Sequence, residues 1–138
     1  MSWWIYALLS AFFAALTTLF AKGGLKGIDS DLATALRTGF VLVIAWGIVF
    51  ARGQAAGVTS LSRRTLLFLA ASALGTGLSW LCYFRALQAG KAGPVSALDK
   101  SSLAMTVILA ALFLGERLTF KTGMGTGLIL AGILVLAL

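Results

Sequence analysis

The chain has 138 residues, of which 60% are hydrophobic and only 11% are charged, and its mean hydropathy is +1.02. This composition is too apolar for an ordinary soluble domain and predicts an integral membrane protein. The formal net charge of +7 does not indicate nucleic-acid binding, because the Lys and Arg residues lie between apolar runs or just inside them, where they flank membrane helices and contact lipid headgroups. One cysteine and no histidine exclude an internal disulfide and a Cys/His metal site, and we expect no cofactor.

The first half of the chain predicts two membrane helices. Residues 3–21 are nineteen residues without a charge, enough to cross about 30 Å of hydrocarbon. Because this stretch lacks a basic start and a cleavage site of small residues, we interpret it as a retained first helix rather than a signal peptide. A glycine-rich loop follows, and Asp29, Ser30 or Asp31 can cap a second helix over residues 32–51.

Three further helices are predicted over residues 65–89, 94–114 and 122–138. Pro94 suits the first turn of the fourth helix, Gly115 its end, and Thr119 the cap of the fifth. The sequence therefore predicts an all-α integral membrane protein. Its five transmembrane helices form one domain of residues 1–138, with the chain ends on opposite sides of the membrane.

Two charged residues flank the Gly/Pro turn between the third and fourth predicted helices. Arg85 and Asp99 are each seven residues from the turn midpoint near Ala92, so both lie about 6–8 Å inside the apolar layer. Charges at that depth are expected to pair or to line a polar cavity. A structural salt bridge and a site for a substrate or a coupling proton are equally open interpretations, and Lys100 can compete with Arg85 for Asp99.

A polar stripe extends from Asp99 along the fourth predicted helix. Its members are spaced three or four residues apart and therefore share one face of the helix. They are Ser96, Asp99, Ser102 and Thr106. Arg37 lies about five residues inside the second predicted helix on the same side of the membrane, where it either joins this candidate substrate or ion site or snorkels to the headgroups. The net positive charge of the group favours an anionic or zwitterionic ligand.

The last predicted helix is uncharged and rich in glycine. Gly123 and Gly127 form a Gly-x-x-x-Gly pair, and Gly132 follows them. Such small residues allow close helix contact, so they predict helix packing or dimerisation.

The loop charges predict no strong orientation. The side that holds the N-terminus has five basic residues, Arg52, Arg63, Arg64, Arg117 and Lys121. The other side has Lys22, Lys26 and Lys91, and six when Arg37, Arg85 and Lys100 are included. Because secondary transporters are often two inverted halves around a central site, a single five-helix unit inserted both ways predicts an antiparallel homodimer.

The Ala-Leu-Gln-Ala-Gly-Lys-Ala-Gly-Pro-Val turn at residues 86–95 and the Leu-Phe-Leu-Gly-Glu-Arg-Leu-Thr turn at residues 112–119 carry a family resemblance. With the glycine-dotted last helix, they resemble the EamA-type units of the drug/metabolite transporter superfamily, and the chain is similar to the short members with one five-helix unit. The resemblance implies a secondary transporter that exports or exchanges small metabolites, amino acids or drug-like compounds across the cell (inner or plasma) membrane.

The sequence also bears on two other classes of function. A non-transporting membrane scaffold, whose glycine faces recruit a larger partner, is the alternative to a transporter. An intramembrane enzyme is poorly supported, because the sequence has no metal-ligand cluster and no nucleophile with an evident base.

Overall fold

The structure is a computed structural model that describes residues 2–137. Within this range it contains helices, turns and loops and no strand. The α-helices are Trp3–Gly24 (α1), Ser30–Ala51 (α2), Arg63–Ala89 (α3), Ala92–Asp99 (α4), Ser102–Phe113 (α5) and Phe120–Ala137 (α6). A short 3₁₀ helix, Ala55–Ser60, lies in the loop between α2 and α3.

Five segments are long and apolar enough to cross a membrane. α1, α2, α3 and α6 each form one span, and α4 with α5 form the fourth, Ala92–Phe113. The spans contain 18 to 27 residues, which corresponds to about 27–40 Å of helix. The predicted all-helical fold with five spans is therefore confirmed, and the protein is a multi-pass membrane protein.

The helix ends differ from the predicted ends by up to three residues. α1 continues to Gly24, so Lys22 is helical and not part of the following loop as predicted. α2 begins at Ser30 because the Asp29 carboxylate accepts hydrogen bonds from the amides of Asp31 and Leu32, at 2.8 and 3.1 Å. The predicted end of the last helix at Leu138 lies outside the described residues.

The turn before α6 has the predicted stop and start signals. Gly115 has φ +69°, a left-handed conformation that glycine adopts without strain, and it follows the end of α5. The Thr119 hydroxyl accepts a hydrogen bond from the Thr122 amide at 3.1 Å. Both predictions for this turn are confirmed.

The fourth span is interrupted, and the prediction of one continuous helix over 94–114 was wrong. α4 ends at Asp99 and α5 begins at Ser102. Between them the backbone tightens: the amides of Lys100 and Ser101 donate to the carbonyls three residues earlier, at 3.0 and 2.9 Å. Four consecutive polar residues, 99–102, occupy this point, and Asp and Ser favour local turns over helix interiors. The tighter winding brings side chains three residues apart into line, so it aligns Asp99 with Ser102.

The chain divides into two compact units. The terminal unit comprises the residues up to Phe20 and those from Ala89 onward, and the central unit comprises Ala21–Gln88. In the terminal unit, α4 and α5 pack against α6. In the central unit the buried side chains come from the loop after α1, the start of α2 and the end of α3. They are Leu25, Ser30, Thr34, Phe84 and Leu87.

Candidate functional site

A bidentate ion pair joins α2 to α3 in the central unit. Arg85 donates from Nε to Oδ1 of Asp31 at 3.1 Å and from Nη2 to Oδ2 at 2.6 Å. This fork-to-carboxylate geometry adds directional specificity to the contact, although the two side chains are 66% and 45% exposed. From the sequence, Arg85 is expected either to pair with Asp99 or to line a cavity with it, and Asp31 is expected only as a helix cap. The Arg85–Asp31 pair was not predicted. Asp31 is the second residue of α2, and Arg85 is four residues from the end of α3. These similar distances from the helix ends are the feature of the sequence that could have suggested the pair.

Two further hydrogen bonds hold the same end of the central unit. The Lys22 ammonium donates to the carbonyl of Leu87 at 2.6 Å, and the Gln88 amide donates to the carbonyl of Ile28 at 2.8 Å. The Leu87 carbonyl belongs to the last turn of α3, where backbone acceptors have no partner within the helix. Lys22 therefore caps α3, which explains why it points inward rather than to solvent or headgroups.

Arg37 lies against aromatic side chains of α3. Its guanidinium carbon is 4.0 Å from the centroid of the Trp80 ring and 5.5 Å from that of Phe84. Trp80 and Phe84 are four residues apart and share one face of α3. Tyr83 lies beside Phe84 on that face, with ring centroids 6.4 Å apart. The Nη1 atom of Arg37 is enclosed, and among the described residues it has no hydrogen-bond partner.

Arg37 contacts an aromatic ring at a similar distance from the helix ends. Arg37 is seven residues from the start of α2, and Trp80 is nine residues from the end of α3. At 1.5 Å per residue these distances are about 10 and 14 Å from the same end of the central unit. The backbone of Trp80 is thus no closer to the helix ends than the backbone of Arg37, and the Arg37 guanidinium contacts the Trp80 ring. A snorkelling arginine instead extends toward the headgroups.

Asp99 and Lys100 form an ion pair at the interruption of the fourth span. The Lys100 ammonium lies 3.2 Å from Oδ2 of Asp99, and the side chains are 61% and 36% exposed respectively. Lys100 is therefore within ion-pairing distance of Asp99. On the same stripe, the Thr106 hydroxyl donates to the Ser102 carbonyl at 2.9 Å, and Ser96 is half-buried.

The structure thus sorts the predicted site residues into two groups. Arg37 and Arg85 lie in the central unit. The members from the terminal unit are Ser96, Asp99, Lys100, Ser102 and Thr106. Within residues 2–137, no three His, Cys, Asp or Glu side chains are placed to bind a metal ion.

The glycines of the last span have open surroundings. A Cβ built on Gly123, Gly127 or Gly132 has no atom within 4 Å once the local helix backbone is set aside. Each of these positions therefore leaves room for the close approach of another helix.

Membrane-length helices that contain ionised side chains below their ends are typical of membrane proteins that move solutes, because each such charge is costly in a bilayer and marks a binding site or pathway. The geometry therefore indicates a solute transporter. The chain is matched over residues 1–138 by the model of the EamA-like transporter family and belongs to that family. It is also 51% identical over 136 residues to a protein of Sinorhizobium sp. described as an uncharacterized transporter in the cobO 3′ region; the match covers 99% of this chain and 96% of that protein. No solved structure gives a significant match.

Proposed function

We propose that this protein is a secondary transporter, an exporter or exchanger, of small metabolites, amino acids or drug-like compounds. It works in the cell (inner or plasma) membrane as an antiparallel homodimer, by alternating access. The observation that supports this function best is the interrupted fourth span, which places Asp99 and Lys100 within an otherwise apolar membrane helix.

An interrupted membrane helix is a recurrent way to build a transport site. Here the backbone amides stay hydrogen-bonded through the tighter turn, and the polar side chains at the turn are tolerated at membrane depth only where they face protein or a water-filled cavity. Here the break begins at the eighth residue of a 22-residue span, about 12 Å along a helix of roughly 33 Å. The polar group at the break therefore lies within the span rather than at its end, where it is available to a solute.

The candidate residues can take complementary roles. The Asp99 carboxylate binds a cationic group of the solute or a coupling proton. The Lys100 ammonium, which is paired with Asp99, competes with that group or proton for the carboxylate. Hydroxyls beside them offer hydrogen bonds to the solute and come from Ser96, Ser102 and Thr106. Arg85 lies outside this stripe and is paired with Asp31. During transport, an anionic group of the solute could replace Asp31 as the partner of Arg85.

A second copy in the opposite orientation would complete the pathway. Five spans place the chain ends on opposite sides, and the basic residues are nearly balanced between the two sides, which permits insertion both ways. The open glycines of α6 provide a surface on which a partner helix can approach closely. Two inverted copies would then form the pair of halves that alternating access requires.

The transport assignment is tested by a thermal-stability screen of the purified protein against metabolites, amino acids and dyes at several pH values. A solute that binds only the folded state must raise the melting temperature, by an amount that corresponds to about 2.7 kcal/mol at 100 times its Kd. We expect at least one class of solute to do so and to show counterflow into preloaded proteoliposomes. Co-purification with a different membrane protein, and no stabilising solute, would instead support a scaffold.

A further inference from the structure

Arg37 is the one candidate-site cation whose charge has no carboxylate partner in the part of the chain that the structure describes. Arg85 is paired with Asp31, and Lys100 is paired with Asp99. The Arg37 guanidinium lies over the rings of Trp80 and Phe84, and those contacts use its face rather than its N–H groups.

The Nη1 group of Arg37 requires a hydrogen-bond acceptor. Guanidinium has five donors and no acceptor, and a buried donor that lacks a hydrogen bond indicates a missing water, ion or ligand. Nη1 is enclosed and has no partner among the described residues. The face of Trp80 fixes one side of the guanidinium, so its edge can present a rigid pair of donors. Such a pair matches the two oxygens of a carboxylate or the oxygens of a phosphate.

We propose that Arg37, held on Trp80, binds the oxyanion group of the transported solute, which makes the substrate a small organic anion or a zwitterion. This inference rests on the proposed transport function, because only a transporter gives the bound anion the role of a substrate. The anion site itself can be tested without transport. A lipid phosphate offers the same oxygens as a solute carboxylate, and the experiment distinguishes the two.

The test uses Trp80 as a reporter, because an anion bound to Arg37 lies next to the Trp80 ring. Trp3, Trp4 and Trp46 are the other tryptophans in the sequence. Replacing these three by Phe leaves Trp80 as the fluorophore. Its fluorescence is then quenched by iodide, by caesium and by neutral acrylamide in dodecyl maltoside.

The expected result is quenching by iodide that depends on Arg37. The variant Arg37→Gln should lower the iodide quenching constant about fivefold, which is the loss of attraction expected for one charge at about 4 Å in water. Acrylamide quenching should stay the same and caesium quenching should rise. Lys26→Gln removes an exposed cation from the loop before α2 and is the matched control, which should leave iodide quenching unchanged.

A competition in the protein with Arg37 intact keeps the test valid if Arg37→Gln does not fold. Benzoate should protect Trp80 from iodide, and benzamide, its neutral analogue, should not. Equal protection by the two compounds, no quenching by iodide in the parent protein, or equal quenching in Arg37→Gln would overturn the proposal.

The lipid alternative is tested by repeating the measurement in nanodiscs of phosphatidylcholine. Iodide quenching that persists there shows that the guanidinium is free for a solute, as proposed. Quenching seen in detergent and lost in nanodiscs shows that a headgroup phosphate occupies Arg37, and it overturns the substrate assignment. If Arg37-dependent quenching is found but no solute shows counterflow, the anion site stands and the transport function fails.

Discussion

Reversing both charges of the Asp31–Arg85 ion pair should restore much of the stability that either single reversal removes. Asp31→Arg places two guanidinium groups where a bidentate bond lies now, and Arg85→Asp places two carboxylates there. Each single variant should lower the melting temperature in detergent by several degrees. The double variant Asp31→Arg with Arg85→Asp can form the bond in the opposite direction and should melt close to the wild type.

The recovery should be incomplete for a physical reason. Asp31 lies in the first turn of α2, where an acidic side chain interacts favourably with the helix dipole and a basic one does not. The exchange loses that contribution. Lys26→Asp, a charge reversal in the exposed loop before α2, is the matched control and should not change the melting temperature. If the loss of melting temperature in the double variant equals the sum of the losses in the two single variants, direct pairing is contradicted.

Neutralising Asp99 should reduce transport much more than stability. Asp99→Asn keeps the size of the side chain and removes the charge that would bind a cationic group or a proton. Because a hydrogen bond to a charged group contributes about 1.5–3 kcal/mol, counterflow of a stabilising solute should fall about tenfold or more. The melting temperature should change little, because the ion pair of Asp99 is with the adjacent Lys100 of the same span and does not join two helices.

Glu116→Gln provides the matched control for Asp99→Asn. It makes the same chemical change in the turn between the fourth and fifth spans, outside the α-helices. Counterflow should be retained in this variant. Equal activity of Asp99→Asn and the wild type in folded protein would remove Asp99 from the site.

The spans were predictable because their signal is simple. A membrane helix needs about twenty apolar residues, and the charge-free stretch at residues 3–21 satisfies that requirement without knowledge of any neighbour. Caps such as Thr119 and the stop at Gly115 are also local, since the side chain or the φ angle acts within the same turn. These features therefore follow from the sequence.

The partners of the charges were less predictable because they depend on contacts between helices. Counting residues from the Gly/Pro turn gave Arg85 and Asp99 the same depth, but depth does not define which helix faces are adjacent. Asp31, 54 residues from Arg85 in the chain, is the partner. The Arg37–Trp80 contact was missed for the same reason, since two separate spans supply it. The tightened backbone after Asp99 depends on four consecutive polar residues, and the predicted polar stripe did not take their weak helix preference into account.

The most direct test of the proposed antiparallel homodimer is a map of its orientation in the membrane. In a Cys82→Ser background, which removes the single cysteine of the sequence, a cysteine is introduced at Lys26 or at Thr59, in the loops before and after α2. Intact cells are treated with a membrane-impermeant maleimide, and total labelling is measured after permeabilisation. We predict that each position is labelled from outside in about half of the copies, because the two orientations occur in equal numbers. Complete labelling of one position from outside and none of the other would show a single orientation and would contradict the antiparallel homodimer.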